Sequence, residues 1–76
     1  MKLNISFEEF LDLLSDHIWR DGWYAQSERI MKYKTVEEVR KYLITHCYSA
    51  EETEILINTA NDIYKNNIYT NENKNN

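Results

Sequence analysis

Proline is absent from this chain of 76 residues, and glycine and cysteine occur only once each. Because both strong helix breakers are scarce, long helical segments are not interrupted, and the composition favours an all-α fold. A single cysteine excludes an internal disulfide scaffold. A single glycine excludes the glycine-rich loops that hold phosphates in many nucleotide-binding enzymes.

Long apolar runs are also missing, since no run approaches the roughly 20 residues needed to cross a bilayer. The first residues reach the acidic pair Glu8 and Glu9 too early for a secretory signal peptide. We therefore expect a cytoplasmic protein that has no membrane partner.

Positive charge is scarce as well, with nine basic residues against 13 acidic ones and a net charge of −4. Residues 21–48 are the exception, because they contain five basic residues against four acidic ones. General nucleic-acid binding needs a basic surface, so we do not expect nucleic acid to be the main partner.

The most informative pattern that is present is a hydroxyl residue followed three positions later by glutamate. This spacing is typical of a capping box at the start of a helix. The hydroxyl accepts the backbone N–H of the glutamate, and the glutamate side chain accepts the backbone N–H of the hydroxyl residue. It occurs three times, each time before a segment of periodic apolar residues, and predicts three helix starts: Ser6–Glu9, Thr35–Glu38 and Ser49–Glu52.

The apolar spacing behind each box predicts the extent of three main helices. Their predicted ranges are Phe7 to about Arg20, Val36 to about His46, and Ala50 to about Lys65. Gly22 is expected to end the first helix. The stripe predicted to face the core in the third helix is Leu56, Ala60, Ile63 and Tyr64, widened by Ile55 and Ile57.

Residues 23–34 are predicted to form a short fourth helix, since an isolated strand would have no partner. Its buried face is predicted to contain Trp23, Ser27, Ile30 and Met31. The expected architecture is a small helical bundle of three main helices plus one short helix. It forms a single domain over residues 1–67, followed by a flexible, disordered asparagine-rich C-terminal tail at 68–76.

No set of residues predicts catalysis. The paired glutamates and the hydroxyls of the three boxes are explained by capping. The soft metal ligands are only His17, His46 and Cys47, whereas a zinc site needs three or four ligands at patterned spacing. We therefore predict that the protein is not an enzyme and has no cofactor and no metal site.

The strongest functional pattern is aromatic. Large aromatic and arginine residues dominate the energetics of protein interfaces, and they cluster around the single glycine. The predicted protein-binding residues are Trp19, Arg20, Trp23, Tyr24 and Arg29. The alternative for any one of these aromatic residues is a place in the core, because small domains also fill their cores with large rings.

Two other functions stay open. A weak nucleic-acid-binding regulator could use basic residues interleaved with aromatic ones, namely Arg29, Lys32, Tyr33, Lys34, Arg40, Lys41 and Tyr42. A self-associating structural protein, such as a homodimer, is the second. By analogy of size and composition only, the chain is compatible with a small inhibitor, from a phage or mobile element, of a host defence nuclease.

Overall fold

A computed structural model describes the backbone of residues 2–75 and the side chains of residues 2–62. It confirms an all-α fold of three main helices and one short helix, and residues 2–75 contain no strand. The helices are α1 (Phe7–Arg20), α2 (Tyr24–Arg29), α3 (Val36–His46) and α4 (Ala50–Asn75), and a single 3₁₀ turn (Ile30–Lys32) follows α2.

All three predicted capping residues are confirmed. Each hydroxyl accepts a hydrogen bond from the backbone N–H three residues later, at 3.0 Å for Ser6, 3.2 Å for Thr35 and 3.1 Å for Ser49. At α3 and α4 the glutamate also accepts the N–H of the capping residue, which completes the box. At α1 the carboxylate of Glu9 bonds instead to the hydroxyl of Ser6 at 3.3 Å.

The core lies between the three main helices and the 3₁₀ turn. In α1 the apolar spacing predicts a stripe of Phe7, Phe10, Leu11, Leu14 and Ile18, of which the last four are buried and Phe7 is half-buried. The buried apolar residues are Phe10, Leu11, Leu14, Ile18, Ile30, Val39, Leu43, Ile57 and Ala60. Burial of this apolar surface is the main driving force for packing the helices together.

The prediction of a core position is wrong for two residues, Met31 and Ile55. Met31 is 40% exposed, because the chain changes from α-helix to a 3₁₀ turn at Ile30 and the side-chain positions rotate. Ile55 is 57% exposed, because the buried side of α4 contains Thr53, Ile57 and Ala60.

The third main helix is longer than predicted, because the backbone of α4 is helical to Asn75 and not only to about Lys65. Two further predictions lie outside the residues whose side chains are described. Ile63 and Tyr64 were predicted to pack on the core, and residues 68–76 were predicted to form a flexible tail separate from the domain at 1–67. Both stay predictions. Among the residues that the structure describes, no helix has the length and apolar character required for a membrane span.

Candidate functional site

The turn between α1 and α2 is fixed by the backbone. Asp21 ends α1, and Gly22 follows with φ of 97°, in the left-handed region that favours glycine. The N–H of Gly22 donates to the carbonyl of Trp19 at 2.9 Å, and that of Trp23 donates to the carbonyl of Ile18 at 2.9 Å. These two bonds form a Schellman motif, so the aromatic residues around the turn have defined positions.

Trp19 and Tyr24 stand in solvent on either side of this turn. Their side chains are 53% and 59% exposed, and the ring centroids are 5.2 Å apart at an interplanar angle of 69°. This edge-to-face arrangement is favourable for aromatic rings and holds one against the other. The pair therefore presents a large aromatic surface, and the contact already restricts the conformations of the two side chains.

Trp23 has a different environment. It is half-buried against the core, and its ring meets Tyr48 edge-on at a centroid distance of 5.9 Å. The hydroxyl of Tyr48 donates to the carboxylate of Asp21 at 2.7 Å, and burial raises the pKa of Tyr48 above its usual range. Trp23 therefore contributes to packing of the turn onto the segment before α4, whereas Trp19 and Tyr24 do not.

The other two predicted protein-binding residues are cationic and exposed. Arg20 pairs with Asp16 at 3.1 Å one turn earlier on α1, and its side chain remains 73% exposed. Arg29 is exposed at the end of α2. It lies on an open groove of about 450 Å³ that is lined by Ala25, Glu28, Arg29, Met31 and Lys32.

Met31 is the residue of this region that sequence reasoning missed. Helical spacing placed it in the core, and only the 3₁₀ turn, which the sequence does not signal, brings it outside. We call the exposed residues of the turn, α2 and the 3₁₀ turn the Trp19 surface, defined as Trp19, Arg20, Tyr24, Arg29 and Met31.

A second group of aromatic rings lies beside α3. Tyr33 and Tyr42 have ring centroids 5.6 Å apart, and Tyr42 lies 4.6 Å from the ring of His46. We call this region the tyrosine groove. It is an open depression of about 310 Å³ lined by Tyr33, Glu38, Lys41, Tyr42, Thr45 and His46.

The basic residues of this second region are not equivalent. Arg40 binds the carboxylates of Glu37 and Glu54 and is only 20% exposed, so its charge is already compensated. Lys41 is exposed at the groove. Burial raises the pKa of Tyr42, and the positive charge of Arg29 opposes that shift.

The candidate metal ligands of the sequence are dispersed. His17 lies 3.7 Å from Asp21, whereas His46 contacts Tyr42 in the tyrosine groove. Burial raises the pKa of the Cys47 thiol, which disfavours the thiolate form that binds metals. Within residues 2–62, no three side chains of the metal-binding types come together.

The two surfaces are thus the main candidates for binding, and they differ in character. One presents a tryptophan–tyrosine pair on a fixed turn, and the other presents an open groove lined by aromatic rings and Lys41. Comparisons of the chain with protein-family models, with curated proteins and with solved structures found no match.

Proposed function

We propose that this chain is a non-enzymatic module that binds another protein through the Trp19 surface. The observation that carries the proposal is the exposure of Trp19 and Tyr24, both more than half exposed while in contact with each other. Tryptophan, tyrosine and arginine are the residues most enriched at the energetic centres of protein interfaces.

The distribution of exposed apolar side chains along the sequence supports the same proposal. Of five exposed large apolar side chains in residues 2–62, three lie between positions 19 and 31, namely Trp19, Tyr24 and Met31. The Schellman motif and the edge-to-face contact hold the aromatic pair before any partner arrives. Binding then costs little additional ordering of these side chains, which favours affinity.

The charge of the chain suggests the kind of partner. Outside residues 29–46, the sequence contains 11 acidic residues against four basic ones. A protein with a basic surface would be attracted to such a field, and enzymes that handle nucleic acids have basic surfaces. The sharpest form of the proposal is therefore an inhibitor, encoded by a phage or mobile element, of a nuclease of this kind.

The test is capture of partners from the source cell by the tagged parent and by three single variants. Trp19→Ala and Tyr24→Ala remove the aromatic pair, whereas Ile55→Ala truncates an equally exposed apolar side chain on α4. A partner identified by mass and then purified should bind each aromatic variant about 30-fold more weakly, or worse, than the parent.

The control should bind like the parent, and the melting temperatures of Trp19→Ala and Tyr24→Ala should stay near that of the parent. Equal retention of the same protein by the parent and both aromatic variants would place the interface elsewhere on the molecule. Nuclease activity of the purified partner, measured with and without the chain, then decides whether binding inhibits.

A further inference from the structure

The rings of the tyrosine groove are all accessible to solvent. Tyr33 and Tyr42 are half-buried and pack against the core, and His46 is exposed, so each ring keeps a surface that a ligand can reach. The depression between them, about 310 Å³, is at the low end of the volumes of ligand-binding pockets, roughly 300–1,000 Å³. Its openness suits a ligand that lies along the surface.

Basic residues are concentrated in the segment of sequence that contains this groove. Residues 29–46 contain five basic residues and two acidic ones, although the chain as a whole has a net charge of −4. Arg40 is compensated by its two glutamates. The basic residues that remain are Arg29, Lys32, Lys34 and Lys41. Of these, Lys41 lines the tyrosine groove, whereas Arg29 and Lys32 line the groove beside Met31.

The one carboxylate in the lining is already engaged. Glu38 accepts the backbone N–H groups of Lys34 and Thr35, each at 3.0 Å, as part of the cap of α3. Its charge is therefore partly neutralised by the start of the helix. The exposed ammonium group of Lys41 is therefore the charge that the groove offers to an anionic ligand.

We infer that the tyrosine groove binds single-stranded nucleic acid, with bases stacking on the rings of Tyr33, Tyr42 and His46. Proteins that bind single strands without sequence preference combine aromatic platforms for the bases with a basic path for the phosphates. The groove has both elements, with Lys41 in its lining and Lys34 next to it, since the backbone N–H of Lys34 donates to the lining residue Glu38.

An acidic peptide would match the charge but would leave the rings unused. Stacking gives aromatic rings a specific role with bases, because every base has a flat π-face. Double-stranded DNA is a poorer fit, because its bases are already stacked on one another inside the helix. The inference does not depend on the proposed protein partner, since the Trp19 surface and the tyrosine groove have no residue in common.

The experiment is a titration of the full chain into a fluorescent oligothymidine of about 12 nucleotides, followed by anisotropy at low salt. We expect saturable binding with a dissociation constant within about 10⁻⁴ to 10⁻⁶ M. The affinity should fall between about 50 and 200 mM salt, since phosphate contacts release counterions.

The variants separate stacking from charge. His46→Ala and Tyr33→Leu should each weaken binding by about 5-fold or more through loss of a stacking platform. Lys41→Gln should weaken it and lower the steepness of the salt dependence by about 0.7 for one lost phosphate contact. His46 and Lys41 are exposed, so these two variants keep the inference testable if Tyr33→Leu is unstable.

The matched control is Arg20→Gln, which removes one exposed positive charge outside the groove and should bind like the parent. Trp19→Ala should also bind like the parent, which distinguishes this site from the proposed protein interface. The inference is overturned by absence of saturable binding. It is also overturned if Arg20→Gln weakens binding as much as Lys41→Gln, or if polyglutamate competes as well as unlabelled oligothymidine.

Discussion

At the scale of single residues, Thr53 is the clearest case of a polar side chain that lacks a hydrogen-bond partner. It is completely buried, and its hydroxyl oxygen is the one buried side-chain polar atom in residues 2–62 without a hydrogen-bond partner. A buried hydroxyl without a partner costs free energy, whereas a methyl group of similar shape does not.

We therefore expect Thr53→Val to raise the free energy of unfolding by about 1 kcal/mol. Urea denaturation followed by circular dichroism measures the change. Thr59→Val is the matched control, because the same exchange at an exposed position of α4 should leave stability nearly unchanged. A less stable Thr53→Val protein would show that the hydroxyl has a partner in solution.

Cys47 is the second residue for which the environment makes a testable difference. Burial raises the pKa of its thiol, so the folded protein holds the proton at a pH where the unfolded chain releases it. Alkylation by iodoacetamide near pH 8 should accordingly be slower in the folded protein than in urea.

The same shift fixes the sign of the pH dependence of stability. The stabilisation from the neutral thiol is fully present below the pKa of the unfolded chain and is lost as pH rises through the raised pKa. Cys47→Ala should therefore lose less stability than the parent between pH 7 and pH 10. Equal alkylation rates for folded and unfolded protein would contradict this account.

At the scale of elements, the join between α1 and α2 depends on Gly22. A Cβ atom at this position would meet no atom within 4 Å, so a substitution is opposed by the backbone conformation alone. Gly22→Ala should cost about 1–2 kcal/mol of stability, because a left-handed conformation is unfavourable for L-residues. Gly22→Asn should cost less, since asparagine tolerates this region better.

Thermal melts of the two variants measure the order of these effects. If both melt at the temperature of the parent, the turn does not need the left-handed residue that the Schellman motif requires. Because the Trp19 surface is arranged around this turn, a stable Gly22→Asn protein should still bind the partner proposed above.

Arg40 adds a polar contact to the apolar packing of α3 and α4, since it binds Glu54 of α4 and Glu37 of its own helix. Arg40→Met retains the aliphatic stem but removes the charged hydrogen bonds, and should cost about 1 kcal/mol after allowance for solvent screening. Lys41→Met, at the exposed neighbouring position, is the control.

The salt and pH dependence identify the charge as the cause. The hydrogen bond from Arg40 holds the pKa of Glu37 below its usual range, so its contribution to stability is present above that range and lost as pH falls through the lowered pKa. The difference between the parent and Arg40→Met should shrink in acid and in about 1 M salt. A constant difference would point to lost packing instead.

These elements also show which features the sequence predicts. The helix starts were predicted correctly, because a cap involves residues only three positions apart. The buried side of α4 was not, because Thr53 and Asn61 are buried although they are polar, and an apolar pattern does not include them. Sequence spacing grouped Trp23 with Trp19 as binding residues. In the structure Trp23 packs on Tyr48, which lies 25 positions later, and sequence spacing does not show a contact of that kind.

At the scale of the whole molecule, the start of the chain is attached to its last helix. The side-chain oxygen of Asn61 accepts the backbone N–H of Asn4 at 2.6 Å, and its amide donates to the carbonyl of Lys2 at 3.3 Å. Leu3 and Ile5 pack against the core from the same segment. Contacts between residues more than 50 positions apart therefore connect the first segment of the chain to its last helix.

Asn61→Ala should accordingly destabilise the whole fold and not only its N-terminus. The substitution removes two hydrogen bonds to backbone groups of the first segment. Because Lys2 and Asn4 are exposed, water can replace part of that bonding, and we expect a cost of about 1 kcal/mol. Urea unfolding followed by the signals of Trp19 and Trp23, and separately by helicity, should give one shared and lowered midpoint. Asn58→Ala, at an exposed position one turn earlier on α4, should unfold like the parent. If Asn61→Ala keeps the parental midpoint, the hydrogen bonds of Asn61 to the segment before α1 do not contribute to the stability of the bundle.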